Sequence, residues 1–222
     1  MCISVHQLCY VHADKEPLFQ NINLTVNTGQ RLALVGNNGT GKSTLLRIIE
    51  GNLKPSSGEV VCSSRPYYIP QHFGQFDNLT VAEALRVDDR IKALHAILEG
   101  DASAENFTCL NGDWDVEERC LSALASWNLE HLQLSQPMCS LSGGEKIRLL
   151  FCCLMIGNNA PDVFILDEPT NNLDIQSVEI ITAAIKSYSG TVLLISHDRY
   201  FVKEIKINRS IKLFDTGSVI KI

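Results

Sequence analysis

Several signposts are missing from these 222 residues, and each absence narrows what the chain can be. Its eight cysteines contain no C-x-x-C pair, and Cys152 and Cys153 are neighbours inside a predicted helix, where they cannot both serve one tetrahedral metal. The set reads as buried thiols in a reducing cytosol rather than as a disulfide framework. A surplus of positive charge is also missing. Nineteen Lys and Arg against 25 Asp and Glu leave a formal charge of −6, which argues against a broad nucleic-acid-binding face and against free DNA binding. The run KEIKINRSIK near the C-terminus is locally basic, and a solvated face accounts for it. No apolar run approaches the roughly 20 residues needed to cross a bilayer, and no charged-then-apolar leader opens the chain. The expectation is a soluble, cytoplasmic protein without direct membrane insertion, for which any membrane role would need another subunit. Internal repeats and low-complexity linkers are absent as well.

What is present is an ordinary globular composition with 45% hydrophobic residues, enough for a substantial core. Short apolar runs alternate with helical patterns, the signature of an α/β domain with a mainly parallel sheet. FQNINLTV and RLALVG read as strands, GKSTLLRIIEG as a helix closed by Gly51, and EVV and YYIP as short strands around a small antiparallel part. From Thr80 to Ile156 the pattern turns helical: TVAEALRVDDRIKALHAILEG and DVEERCLSALASWNL predict two helices joined by a polar loop, DASAENFTCLNGDWD. We read this stretch, about residues 75–157, as a helical subdomain inserted in the α/β core. PDVFILDEP and TVLLIS then predict buried strands around the helix SVEIITAAIKSY, with Val178, Ile181 and Ile185 on one face. A short helix from Arg199 and the strands SIKLFD and SVIKI close the chain.

The strongest chemical signal is GNNGTGKST, which fits G-x-x-x-x-G-K-[ST] between a predicted strand and a predicted helix. In such a loop, Gly36, Asn37, Asn38, Gly39, Thr40, Gly41, Lys42, Ser43 and Thr44 form a phosphate cradle. Backbone N–H groups of residues 39–44 face the α- and β-phosphates, Lys42 reaches the β- and γ-phosphates, and the Ser43 hydroxyl ligates magnesium. A glycine-rich turn with an incidental lysine is the bland alternative, and the strand–loop–helix context argues against it. VFILDEP ends an apolar strand in Asp167, a carboxylate suited to hold magnesium directly or through water. Glu168 points elsewhere and is placed to polarise a water for attack on the γ-phosphate. His197, after TVLLIS, would contact the γ-phosphate from the next strand end. In SLSGGEKIRLL, Ile147, Leu150, Phe151 and Leu154 give one apolar helix face. Ahead of that face, two glycines and a helix N-terminus suit an anion, or else Ser142 and Glu145 simply form a capping box.

In one order the chain holds the P-loop, Gln71 in YYIPQ, LSGGE, ILDEP, NNLD and SHD. Over essentially its whole length it thereby resembles an ABC-type ATPase domain. The resemblance implies a P-loop NTPase core, ATP hydrolysis, and ATP and Mg2+ as cofactors. It also implies that Tyr10 stacks on adenine and that Gln71 contacts the magnesium and water. Ser142, Gly143 and Gly144 would act in trans on the nucleotide of a second ABC domain, across an interface that the loop from Asn171 to Asp174 crosses. DEPTNNLD with SHDRYFV, and LEGDASAENF leading to DWDVEERCLSALASWNLEHLQL, are similar to the N-terminal domain of ABC-F proteins, soluble paired ATPases that act on the ribosome. The rival reading is the ATPase subunit of an ABC membrane transporter, which would share every ATP-contacting residue.

Overall fold

The computed structural model describes residues 2–12, 15–153, 156, 161–171, 173–214 and 219–221. They divide into two compact units, one of residues 1–71 and 161–222 and the other of residues 72–160.

The first unit holds two sheets. β1 (Ile3–Val11) pairs antiparallel with β2 (Pro17–Val26), and after β3 (Arg31–Val35) and α1 (Lys42–Glu50) the chain returns as β4 (Ser57–Cys62) on the other side of β1. Alternation sets the buried face of this small sheet: Ile3, Val5 and Leu8 of β1 meet Phe19, Ile22, Leu24 and Val26 of β2 in the core. β5 (Tyr67–Ile69) leads into the larger sheet. That sheet continues, after the second unit, with β6 (Val163–Asp167), β7 (Thr191–Ile195), β8 (Arg209–Leu213) and β9 (Val219–Lys221). Its order is β5-β6-β7-β3-β8-β9, parallel except for the antiparallel pair β8–β9. Every residue of VFILD and TVLLI is buried, as expected of central parallel strands covered on both faces. α1 buries Leu45, Leu46, Ile48 and Ile49 and ends at Gly51 in the left-handed region. The helix between β6 and β7 (Ile175–Ser187) buries Ile181 and Ile185 and starts at Asp174, whose carboxylate accepts the Ser177 N–H at 2.8 Å. The C-terminal ends of β3, β5, β6 and β7 lead into Gly36, Gln71, Glu168 and His197, so one sheet edge carries most of the polar motifs.

The second unit is helical: α2 (Val81–Ala84), α3 (Asp88–Leu98), α4 (Ala104–Leu110), α5 (Val116–Ser126) and α6 (Gly143–Cys152). The helix between β6 and β7 is then α7, and Arg199–Glu204 is α8. Two sequence expectations fail here. The stretch expected as one helix from Thr80 breaks at Arg86, which takes φ +59°. Val87 beside it is fully buried, and α3 restarts with Asp88 and Asp89 in its first turn, favourably placed for the helix dipole. The expected polar loop contains α4, because Ser103 caps it and Leu110 is fully buried. Asp113 ties this region together by accepting from both Arg90, at 3.3 Å, and Arg119. Trp127 stacks on Phe151 of α6 at 6.0 Å. Ile147, Leu150 and Phe151 form a buried face, and Leu154 lies outside the described residues.

The cysteines also depart from expectation. Cys2, Cys120, Cys152 and Cys153 are buried, but Cys9 and Cys62 are half-buried, and Cys109 and Cys139 are exposed. Helical periodicity places the last two on solvent faces, which the spacing of the cysteines alone does not reveal. Among the described residues, no helix is long and apolar enough to cross a membrane.

Candidate functional site

The loop from Gly36 to Thr44 owes its shape to its glycines. A Cβ on Gly36 would lie 2.5 Å from the Leu213 carbonyl oxygen, so no side chain fits. Gly41, the N-cap of α1, sits at φ +90°, and a Cβ there would press on Leu18 at 2.8 Å. Inside this turn Lys42 folds back and donates from Nζ to the carbonyls of Gly36 (2.9 Å) and Asn37 (2.7 Å). The Thr40 hydroxyl donates to the same Asn37 carbonyl at 3.1 Å. Burial lowers the Lys42 pKa below the ordinary lysine value, opposed by the charges of Glu168 and Asp167.

Asp167 is 2% exposed. Its Oδ1 accepts the Ser43 hydroxyl at 3.1 Å and its Oδ2 accepts the Tyr68 hydroxyl at 3.0 Å. Burial first, and then the charge of Asp167, hold the Tyr68 phenol well above its usual range, so it remains a donor. One residue on, Glu168 takes φ +49°, uncommon for a non-glycine residue, and its N–H donates to the Ile195 carbonyl at 2.9 Å. The flip turns its side chain toward His197: Glu168 Oε2 accepts the His197 backbone N–H at 3.1 Å, and Oε1 lies 3.3 Å from His197 Nε2.

These residues line one cavity of about 590 Å³. Asn38, Gly39, Gly41, Lys42, Ser43 and Thr44 come from the loop and the start of α1, Asp167, Glu168 and Asn171 from the end of β6 and the segment after it, and Gln71 and His197 from neighbouring strand ends. Gly36, Asn37 and Thr40 brace the loop from within, and Asp174 serves as the cap of α7. Asn172 lies outside the described residues.

Tyr10, expected at the base, is not among the lining residues. Its ring packs on Phe19 at 6.0 Å and meets His12 edge-on at 5.5 Å, whereas His12 and Leu18 line the cavity. Bulges interrupt the β1–β2 register beyond Val5, in the stretch that leads to Tyr10 and His12. Tyr68 was also missed. The signal for it was a phenol on a strand flanked by buried residues, since a buried Tyr hydroxyl usually finds a partner.

Ser142, Gly143 and Gly144 belong to the second unit. The capping box is present: the Ser142 hydroxyl accepts the Glu145 N–H at 3.3 Å, and Glu145 Oε2 accepts the Ser142 N–H at 2.8 Å. The Ser142 hydroxyl, which donates to Glu145 Oε2 at 2.6 Å, then the Ser142 amide and then His131 bring the Glu145 pKa down to about 2. Neither glycine has a positive φ, and a Cβ on either would meet nothing within 4 Å. Local packing therefore does not demand glycine there, although each costs about 0.5–1 kcal/mol of helix stability relative to alanine.

The donors around Asp167 are hard oxygens, the Ser43 hydroxyl and the carboxylate itself, with Gln71 in the same wall. Among the described residues no three or more His, Cys, Asp and Glu side chains converge as a cage. Such a sparse oxygen set suits magnesium, which is commonly held by one or two carboxylates together with phosphates and water.

Comparison with known proteins fits this geometry. A family model described as "ABC transporter" matches residues 19–171. The chain is 37% identical, over 97% of its length, to "ABC transporter F family member 2" of Arabidopsis thaliana, and covers 28% of that protein. It is 38% identical, over 86% of its length, to "Probable ATP-binding protein YbiT" of Escherichia coli O157:H7, and covers 32% of it. The chain thus spans about a third or less of these relatives. Among solved structures, "Structure of ATP binding subunit of ABC transporter" aligns over 100% of this chain and 90% of its own, with a TM-score of 0.72 at 22% identity, a likeness of fold.

Proposed function

Because this chain belongs to the ABC transporter family, we propose that it binds and hydrolyses MgATP at the cavity beside the glycine-rich loop, as one half of a head-to-tail pair of ABC domains. The observation that carries this reading is the convergence of Lys42 and Ser43 with Asp167 and Glu168 around one space, a cation and hydroxyl facing two carboxylates of different orientation. Backbone N–H groups of the loop and the start of α1 receive the phosphates, and Lys42 exchanges its two carbonyl contacts for phosphate oxygens. Ser43, Asp167 and Gln71 would hold the magnesium, which would supply charge neutralisation on the phosphate oxygens. Glu168 accepts a proton from the attacking water, and His197 fixes the Glu168 carboxylate from the next strand. His12 and Leu18 lie on the base side of the loop, with Tyr10 supporting the His12 ring.

The two units together make one nucleotide-binding domain, in which residues from about 75 to 157 form the helical insertion. A single P-loop and a single Ser-Gly-Gly turn leave each site to be completed by a second domain, in the same native chain or a second copy. The open space at Gly143 and Gly144 supports a role facing outward, toward a partner's γ-phosphate. The 37–38% identity to proteins named as ABC transporter F family members supports a cytoplasmic switch that works on the ribosome. Ribosome pelleting tests this. Full-length native protein carrying Glu168→Gln is expected to sediment with ribosomes in ATP and much less in ADP. Co-purification with a polytopic membrane protein, with background pelleting in both nucleotides, would assign it to a transporter instead and leave the ATPase reading standing.

A further inference from the structure

Tyr68 donates to Asp167 and has no part in the proposed chemistry. It sits in β5 opposite Ile165, one strand over and two residues back from Asp167, and its ring belongs to the central core with Val163, Ile165 and Leu193. Tyr67 turns the other way and packs against Phe164 at 5.4 Å. Phenylalanine would fill the space of the Tyr68 ring equally well, so packing alone does not explain the hydroxyl. What the hydroxyl does is occupy Asp167 Oδ2 at 3.0 Å, while Oδ1 keeps the Ser43 contact at 3.1 Å. The carboxylate is held at both ends, Oδ1 by the first turn of α1 and Oδ2 by β5.

We propose that Tyr68 is a positioning residue that restricts Asp167 to a one-oxygen contact with a divalent cation and so favours Mg2+ over Ca2+. The inference rests on the MgATP reading of the cavity. Calcium takes about six to eight oxygens in adaptable geometry and readily uses both oxygens of a carboxylate, whereas magnesium demands a tight octahedron and keeps several waters. Tyr68 ties up one lone pair of Oδ2 and fixes the plane of the carboxylate, so a chelating contact through both oxygens has to reorient or break a charge-assisted hydrogen bond. The same bond fixes the rotation of Oδ1, which a small, geometrically strict ion needs more than a large, tolerant one. Tyr68 also lies three residues before Gln71 in the chain, so one short strand sets two of the groups around the cation.

The test is equilibrium binding of ATP by the whole chain in EDTA, Mg2+ and Ca2+, with wild type and Tyr68→Phe compared. Wild type is expected to bind ATP more tightly in Mg2+ than in EDTA or Ca2+. Tyr68→Phe should keep the EDTA affinity, lose about tenfold of the Mg2+ enhancement, and lower the Mg2+-to-Ca2+ preference by a similar factor, the effect of one hydrogen bond to a charged group. On an Asp167→Asn background, adding Tyr68→Phe should change nothing further, since the two act as one unit. The electron paramagnetic resonance spectrum of Mn2+ bound with ATP should differ between wild type and Tyr68→Phe. Asp167→Glu, which retains the charge but displaces both oxygens, should also lose the Mg2+ preference and serves if Tyr68→Phe does not fold. An unchanged Mg2+-to-Ca2+ ratio in either variant would overturn the assignment, as would an equal loss in all three media. If wild type itself binds ATP no better with metal than in EDTA, the MgATP reading fails first and this inference falls with it.

Discussion

Replacing Lys42 with alanine isolates the main cationic contribution to phosphate binding. Its ammonium is 2.9 and 2.7 Å from two neutral carbonyls, and the residue is only 8% exposed. On binding, these contacts give way to anionic phosphate oxygens. Hydrogen bonds that involve charged groups contribute about 1.5–3 kcal/mol each against about 1 kcal/mol for neutral ones. Two bonds to phosphate at the upper end of that range, about 6 kcal/mol, less the two to carbonyls at its lower end, about 3 kcal/mol, leave about 3 kcal/mol of binding to be lost. At 1.4 kcal/mol per decade, that weakens MgATP affinity by about 10²–10³-fold. The fold loses the two bonds from the ammonium to the carbonyls, about 3 kcal/mol, a fall in melting temperature of about 6–12 °C for a chain of this size. Calorimetric titration with MgATP gives the first number and thermal circular dichroism the second. A folded Lys42→Ala chain with a dissociation constant within threefold of wild type would refute the assignment of the loop as the phosphate site.

Three further outcomes follow from the same geometry. Glu168→Gln keeps the shape and an acceptor for the His197 N–H but removes the base, so phosphate release under saturating MgATP should fall by about 10² or more while ATP affinity persists. His12→Ala should weaken ATP more than it weakens tripolyphosphate, and Tyr10→Phe should change neither, because His12 lines the cavity and Tyr10 packs behind it; equal losses for both ligands would remove His12 from the base side. Glu145 has a folded pKa of about 2 against an ordinary 4.5, so its contribution is fully present above the unfolded value and fades as pH falls through the folded one. The melting-temperature gap between wild type and Glu145→Gln should therefore be widest above pH 5 and close near pH 2, and a gap independent of pH would contradict the capping-box account.

The P-loop was legible because its requirements are local: glycines where no Cβ fits, a lysine and serine at the helix start, a strand before and a helix after. The buried strands around Asp167 and His197 were legible for a similar reason, since unbroken apolar runs of four residues between polar ones have few other uses in an α/β chain. What was not legible depends on tertiary contacts. The break at Arg86 is set by the burial of Val87, and α4 by the burial of Leu110 beneath an otherwise polar stretch. The resemblance singled out Tyr10, whereas the cavity wall holds His12, against which the Tyr10 ring packs edge-on. Tyr68 looked like one of two adjacent strand aromatics, and only the neighbouring strand places its hydroxyl on Asp167.

The central claim, that the cavity takes MgATP and that Ser142 to Gly144 act on a partner's nucleotide, is tested most directly by sedimentation equilibrium of Glu168→Gln chains with and without MgATP. The account predicts dimers that form in MgATP, dissociate in ADP, and are weakened when Ser142→Arg is introduced into the same chain. ATP-dependent dimers of undiminished strength in the Ser142→Arg protein would contradict it.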